Sequence, residues 1–285
     1  MSSSLLRTLL ILGRTSNVPT VWSNCLAGWL LGGAGSWPDL IWLCAAAALL
    51  YVGGMYLNDA VDAPFDREHR PERPIPSGAI SEKTVWTFGF VWLGLGLAAL
   101  IPLGFRSVRL GLLLAAAILI YDALHKRVKM APLLMALCRF LLYLLAAATG
   151  AHGIEGLALW SALALSAYII GLSYLARHES TRTPFDNWPV YLLAVPVLLA
   201  FFANAGSFRF RAAAIALVFT LWVLRALRFS FWTEKRNIGR TVSSLLAGIV
   251  LVDCLAAVHE APLLEPVFAL LFLLALLFQR VVPPT

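Results

Sequence analysis

Ten long, mostly apolar stretches follow one another along this 285-residue chain, at 18–35, 39–59, 84–104, 108–124, 131–150, 157–176, 188–204, 211–229, 241–259 and 263–281. A helix needs about 20 such residues to cross the hydrocarbon core of a bilayer. One such run can hide inside a soluble core, but ten cannot. The chain is therefore predicted to be an all-α, polytopic bundle of nine or ten transmembrane helices. Composition agrees: 60% of residues are hydrophobic and 13% charged, whereas soluble domains carry about 25% charged residues. A disordered chain, a disulfide-stapled secreted module and a cytosolic enzyme are excluded. The linkers are short and no composition shift marks a second domain, so residues 1–285 are read as a single transmembrane domain.

The formal net charge of +7 would suggest nucleic acid as a partner in a soluble protein. Here its distribution argues otherwise. With a cytoplasmic N-terminus, 17 of the 22 Lys and Arg residues fall in inside segments; Arg106, Arg109, Arg209 and Arg211 fall outside, and Arg139 lies within a span. This positive-inside asymmetry places both termini in the cytoplasm of a multi-pass protein of the inner (cell) membrane, with no role for nucleic acid. The run Leu5 to Leu12, with Arg7 and Arg14, reads as an interfacial helix; no small-residue cleavage site follows it. Cys25, Cys44, Cys138 and Cys254 all sit in apolar runs without a CxxC pair and read as small buried hydrophobes. The close glycines Gly28 and Gly32, Gly53 and Gly54, and Gly89, Gly94 and Gly96 predict tight helix packing.

The acids are clustered. Six of fifteen (Asp59, Asp62, Asp66, Glu68, Glu72 and Glu82) lie between positions 59 and 82, where the second span ends. Asn58, Asp62 and Asp66 are spaced i, i+4, i+8, which puts their oxygens on one helical face, able to converge on one cation. Asp59 is one residue off that stripe. Hard oxygen ligands in this number suit Mg2+, which commonly bridges protein carboxylates to substrate phosphates. Arg67, Arg70 and Arg73 follow in a proline-rich loop, and arginine forks match phosphate oxygens. The rival reading is a solvated loop in which acids and bases merely form salt bridges. Within the stripe, Pro64 lacks a backbone donor and is expected to kink or end the helix before Asp66.

The segment Asn58-Asp59-x-x-Asp62-x-x-x-Asp66, followed by Arg73-Pro74-Ile75-Pro76-Ser77-Gly78, closely resembles the first signature of the UbiA superfamily of intramembrane prenyltransferases. The resemblance implies a helical bundle, usually of nine transmembrane helices, around a lipid-open cavity. It also implies that an isoprenyl diphosphate bound through Mg2+ ionises and alkylates a lipophilic acceptor such as an aromatic ring. Cationic groups would stabilise the departing diphosphate, and an apolar, aromatic-lined chamber would shield the allylic cation. By the same resemblance Lys126, in Tyr121-Asp122-Ala123-Leu124-His125-Lys126-Arg127, holds diphosphate, and Asn17 lies near it. A role as helix N-cap is the alternative for Asn17, and positive-inside anchoring is the alternative for Lys126.

The resemblance weakens at the family's second aspartate signature. Two carboxylates spaced i, i+4 are expected near the end of the sixth span, yet only Glu179 falls in that window and position 183 is Thr. Arg177 and Arg182 are the candidate replacement for the missing positive charge of a second Mg2+. The degenerate motif resembles that of divergent UbiA-like proteins of Ebo-type gene clusters more than that of quinone-pathway enzymes. The expected site comprises Asn58, Asp62, Asp66 and Glu179 for the metal, and Asn17, Arg70, Arg73, Lys126, Arg177 and Arg182 for diphosphate. Asp62 and Lys126 are the catalytic pair. Asp253, inside a span, is a functional candidate without an assigned role. The competing function is a non-catalytic relative that binds or moves an isoprenoid or aromatic metabolite.

Overall fold

All regular structure among the described residues is helical. The computed structural model describes residues 5–177, 187–204, 206, 208–233, 236–260 and 262–283. The short α1 (Leu5–Leu12) leads through a 3-10 turn into α2 (Val18–Leu31), followed by α3 (Trp37–His69), α4 (Glu82–Ala99), α5 (Phe105–Leu124), α6 (Ala131–Ala148) and α7 (Gly156–Arg177). Then come α8 (Trp188–Leu192), α9 (Val195–Ala203), α10 (Phe208–Phe231), α11 (Ile238–Ala257) and α12 (Glu265–Phe278).

Each of the ten apolar stretches contains helix, but seven helices are long and apolar enough to cross a membrane: α3 to α7, α10 and α11. The first, seventh and tenth stretches fall short. The 14 residues of α2, nearly all buried by neighbouring helices, are too few for a full crossing. In the seventh stretch Pro196 lacks the N–H that would bond the Leu192 carbonyl, and the chain turns between α8 and α9. The 14 residues of α12 reach about 21 Å at 1.5 Å per residue.

The site is positioned chiefly by α3. Ser36 caps its start, accepting a hydrogen bond from the Asp39 amide at 3.2 Å, and its 33 residues run for about 50 Å. That exceeds the roughly 30 Å hydrocarbon core, so the acidic end projects to the membrane boundary. Pro64 does not end the helix: α3 continues to His69. The proline ring lies on the exposed face, while Ala63 and Asp66 on the opposite face stay buried. Tertiary contacts hold the last turns, with the Lys126 ammonium over the Phe65 ring at 3.9 Å and Arg67 paired to Glu82.

Glycines let the helices approach. A Cβ at Gly28 would lie 2.7 Å from the Ala146 Cβ, and one at Gly53 2.8 Å from the Leu93 nitrogen. These contacts seat α2 on α6 and α3 on α4. Gly32, Gly54, Gly89 and Gly96 are similarly crowded, whereas Gly94 has open space and no packing role.

Candidate functional site

A cavity of about 960 Å³ is enclosed chiefly by α2, α3, α5, α6, α7 and α11. Val21, Leu114, Ile118, Leu142, Ile169 and Ile249 give it an apolar body, and Arg14, Asn58, Asp62, Arg73, Asp122 and Lys126 give it a polar end. Such an amphipathic chamber suits a ligand with an anionic head and a hydrocarbon tail.

The polar end is built on the α3 stripe. Asn58, Asp62 and Asp66 share a face as their spacing requires, and all are more than nine-tenths buried. Asn58 donates from Nδ2 to Asp122 Oδ1 at 3.1 Å, and its Oδ1 accepts from Arg14 at 3.2 Å. Asp62 Oδ1 lies 2.8 Å from Lys126 Nζ and 3.3 Å from His125 Nε2. Asp59, off the stripe but equally buried, is braced by Arg14 at 3.1 Å and Arg73 at 3.3 Å. His125 follows the last turn of α5. Burial disfavours its charged form, but the Asp62 carboxylate outweighs that and raises its pKa above the ordinary histidine value.

Among the described residues no three Asp, Glu, His or Cys side chains converge into a ready-made metal cage, and Asp59 and Asp62 are engaged by bases. What fits a cation are the remaining lone pairs. Asp66 Oδ1 and Asp122 Oδ2 are buried without a hydrogen-bond donor among the described residues. One or two carboxylates plus phosphate oxygens are the usual Mg2+ donor set.

Of the other predicted residues, Asn17, Arg70, Arg73, Lys126 and Arg177 all line the same cavity. Asn17 stands at the N-cap position of α2 without capping it; its amide donates to the Tyr51 hydroxyl at 3.2 Å. Arg177, expected to present positive charge to diphosphate, also has backbone partners. Its guanidinium donates to the carbonyls of His125 at 3.2 Å, Val128 at 2.8 Å and Lys129, tying down the α5–α6 loop that carries Lys126. Glu179 and Arg182 lie outside the described residues.

Sequence reasoning passed over Arg14, Asp122 and His125. Arg14 read as an orientation signal, yet it lies between Asn58 and Asp59 with φ at 40°, a left-handed backbone that costs a non-glycine residue about 1 kcal/mol or more. Asp122 and His125 were visible beside Lys126 as an acid and a base four and one residues before it. Asp253 proves to be a tie between helices. It is fully buried, accepting from Ser23 Oγ at 2.5 Å and Asn24 Nδ2 at 2.7 Å. Asn24 Oδ1 in turn accepts from Arg139 at 2.6 Å. The network joins α2, α6 and α11 and links Arg139 to Asp253 through the Asn24 amide.

A model of the UbiA prenyltransferase family matches residues 16–228. The digeranylgeranylglyceryl phosphate synthase of Metallosphaera sedula is 30% identical over 163 residues, covering 57% of this chain and 46% of that protein. The mitochondrial 4-hydroxybenzoate polyprenyltransferase of Aedes aegypti is 30% identical over 182 residues, 62% of this chain and 39% of that one. The chain thus spans about half or less of the length of these curated relatives. A solved structure of a UbiA homolog from Archaeoglobus fulgidus, bound to GPP and Mg2+, superposes with a TM-score of 0.64 at 18% identity, covering 86% of this chain and 99% of that one. An apo UbiA homolog from Aeropyrum pernix K1 gives a TM-score of 0.52 at 18% identity, covering 93% and 96%.

Proposed function

Because this chain belongs to the UbiA prenyltransferase family and is a multi-pass integral membrane protein, we propose that it transfers an isoprenyl group from a prenyl diphosphate to a lipophilic acceptor, with Mg2+ as the accompanying cation. The observation that carries this reading is the cavity itself, apolar through its body and lined at one end by Asp62, Arg70, Arg73 and Lys126. Residues 1–285 act as one transmembrane domain, supported by a continuous apolar core from Val21 to Leu271. The basic face of the bundle is cytoplasmic in a cell membrane, supported by the 17 to 4 partition of bases.

Asp62 and Asp66 would hold Mg2+, with Asn58 beside them on the same face. Mg2+ held there would supply Lewis-acid stabilisation of the charge that develops on the leaving diphosphate. Arg14, Arg70, Arg73 and Lys126 present N–H groups to the diphosphate oxygens. Lys126 and Arg73 now rest on Asp62 and Asp59, so anion binding exchanges one partner for another without leaving a buried ammonium or guanidinium bare. Asn17 and Arg177 border the same space, Arg177 by fixing the loop that carries Lys126. Glu179 as a metal ligand and Arg182 as a diphosphate contact rest on the sequence pattern alone. The apolar body excludes water from the allylic carbon once diphosphate departs.

The test is turnover. Purified protein is incubated with labelled geranyl, farnesyl and longer prenyl diphosphates and a membrane lipid extract as acceptor, in Mg2+ or EDTA. Mg2+-dependent diphosphate release with formation of a prenylated lipid is expected. Tight binding of the donors without turnover would instead make the protein a carrier or binding protein.

A further inference from the structure

Four carboxylates are buried on the end of α3 and on α5, of which Asp62 and Asp122 line the cavity, and the bases around them neutralise two. Asp59 takes Arg14 and Arg73, and Asp62 takes His125 and Lys126. Asp66 and Asp122 remain, each with a buried oxygen that meets no donor among the described residues. Asp66 belongs to the α3 stripe already assigned. Asp122 comes from α5, lines the cavity and is 3% exposed. A buried carboxylate oxygen that meets no donor is costly, and a cation arriving in the cavity would satisfy it. The chain is also short of acids elsewhere, since the window expected to supply a second carboxylate pair holds Glu179 and Thr183.

We infer that Asp122 ligates the divalent cation that accompanies diphosphate, supplying from α5 a carboxylate that the sequence pattern does not assign. Asp122 lines the cavity, and its buried Oδ2, unpartnered among the described residues, is a hard oxygen of the kind Mg2+ and Mn2+ take. Its Oδ1 is held by the Asn58 amide at 3.1 Å, which fixes the carboxylate as outer-shell partners fix metal ligands. Asn58 lies one turn before Asp62, so that bond sets Asp122 beside the stripe rather than apart from it. The inference rests on the reading of this pole as a diphosphate site.

The experiment measures Mn2+ binding to the detergent-purified full chain in the presence of inorganic diphosphate, following free Mn2+ by electron paramagnetic resonance. Asp122→Asn keeps an oxygen for the Asn58 amide and removes the charge. It is expected to weaken Mn2+ binding at least tenfold, as is Asp62→Asn. Wild-type affinity in Asp122→Asn alongside weakened binding in Asp62→Asn overturns this inference and leaves the diphosphate reading standing. Absence of Mn2+ binding in the wild type overturns both. A second measurement needs no variant: carbodiimide labelling of Asp122 in the wild type should fall when Mn2+ is added to diphosphate-saturated protein. Labelling equal with and without Mn2+ overturns the inference.

Discussion

Asp62→Ala separates the catalytic role of the stripe from its structural one. In the resting protein the carboxylate pairs with Lys126 and His125, and their side chains are 11%, 35% and 15% exposed respectively. Removing one partner of a dry buried ion pair costs about 3–5 kcal/mol. Here the lysine reaches solvent and regains hydration when its partner is lost, so the stability cost falls toward the surface-pair range of about 1 kcal/mol. The functional cost is larger. Loss of an outer-shell partner of a metal ligand already weakens binding about 10–100-fold. Deleting a ligand from a set of one or two carboxylates should therefore cost at least about 100-fold in Mg2+-dependent diphosphate affinity, or about 2.7 kcal/mol. The assay is titration of a labelled prenyl diphosphate into wild type and variant, with and without Mg2+, alongside thermal unfolding of both. The expected result is a near-wild-type melt with cation-dependent affinity lost. Unchanged affinity would return the acids to a salt-bridged loop, and a collapsed melt would show that Asp62 serves the fold.

Three further perturbations probe other parts of the account. Gly28→Leu should lower the thermal midpoint by the equivalent of about 1–3 kcal/mol or more, because even a Cβ there lies 2.7 Å from the Tyr143 carbonyl oxygen; a wild-type melt would mean that α2 does not pack on α6 as described. Asp253→Ala breaks two hydrogen bonds, each worth about 0.6 kcal/mol on average within membranes, and should lower stability by about 1–2 kcal/mol; an unchanged melt would remove the network from the fold's support. Arg177→Ala frees the carbonyls of His125 and Val128, and limited proteolysis should cut the 125–130 loop faster while the affinity for diphosphate falls. An equally resistant loop would return Arg177 to the role of a direct diphosphate contact.

Much of the architecture was legible because the constraints are one-dimensional. Apolar length predicts a span, and the i, i+4, i+8 spacing of Asn58, Asp62 and Asp66 predicts a shared face; α3 carries all three on its buried side. Local rules misled where tertiary contacts outweighed them. Pro64 reads as a helix end, yet Lys126 over Phe65 and the Arg67–Glu82 pair sustain α3 beyond it. Length alone counted 188–204 with the full spans, although Pro196 divides it into two helices. Partners distant in sequence were out of reach. The contacts of Arg14 with Asn58 and Asp59, and of Asp122 with Asn58, join separate helices or loops, and no spacing within one helix reports them. Arg177 was seen as a charge, but its loop carbonyl partners, nearly fifty residues away, were not.

The central claim is that one pole of the cavity binds a cation-assisted diphosphate with the hydrocarbon tail in the apolar body. It is tested most directly by the structure of the protein with a non-hydrolysable prenyl thiodiphosphate and Mn2+, the metal located by its anomalous scattering. The account predicts a Mn2+ peak against the Asp62 and Asp66 carboxylates, the diphosphate reached by Arg73 and Lys126, and the prenyl chain running toward Leu142 and Ile249. A peak elsewhere, or an analogue bound with its diphosphate away from the α3 stripe, would contradict it.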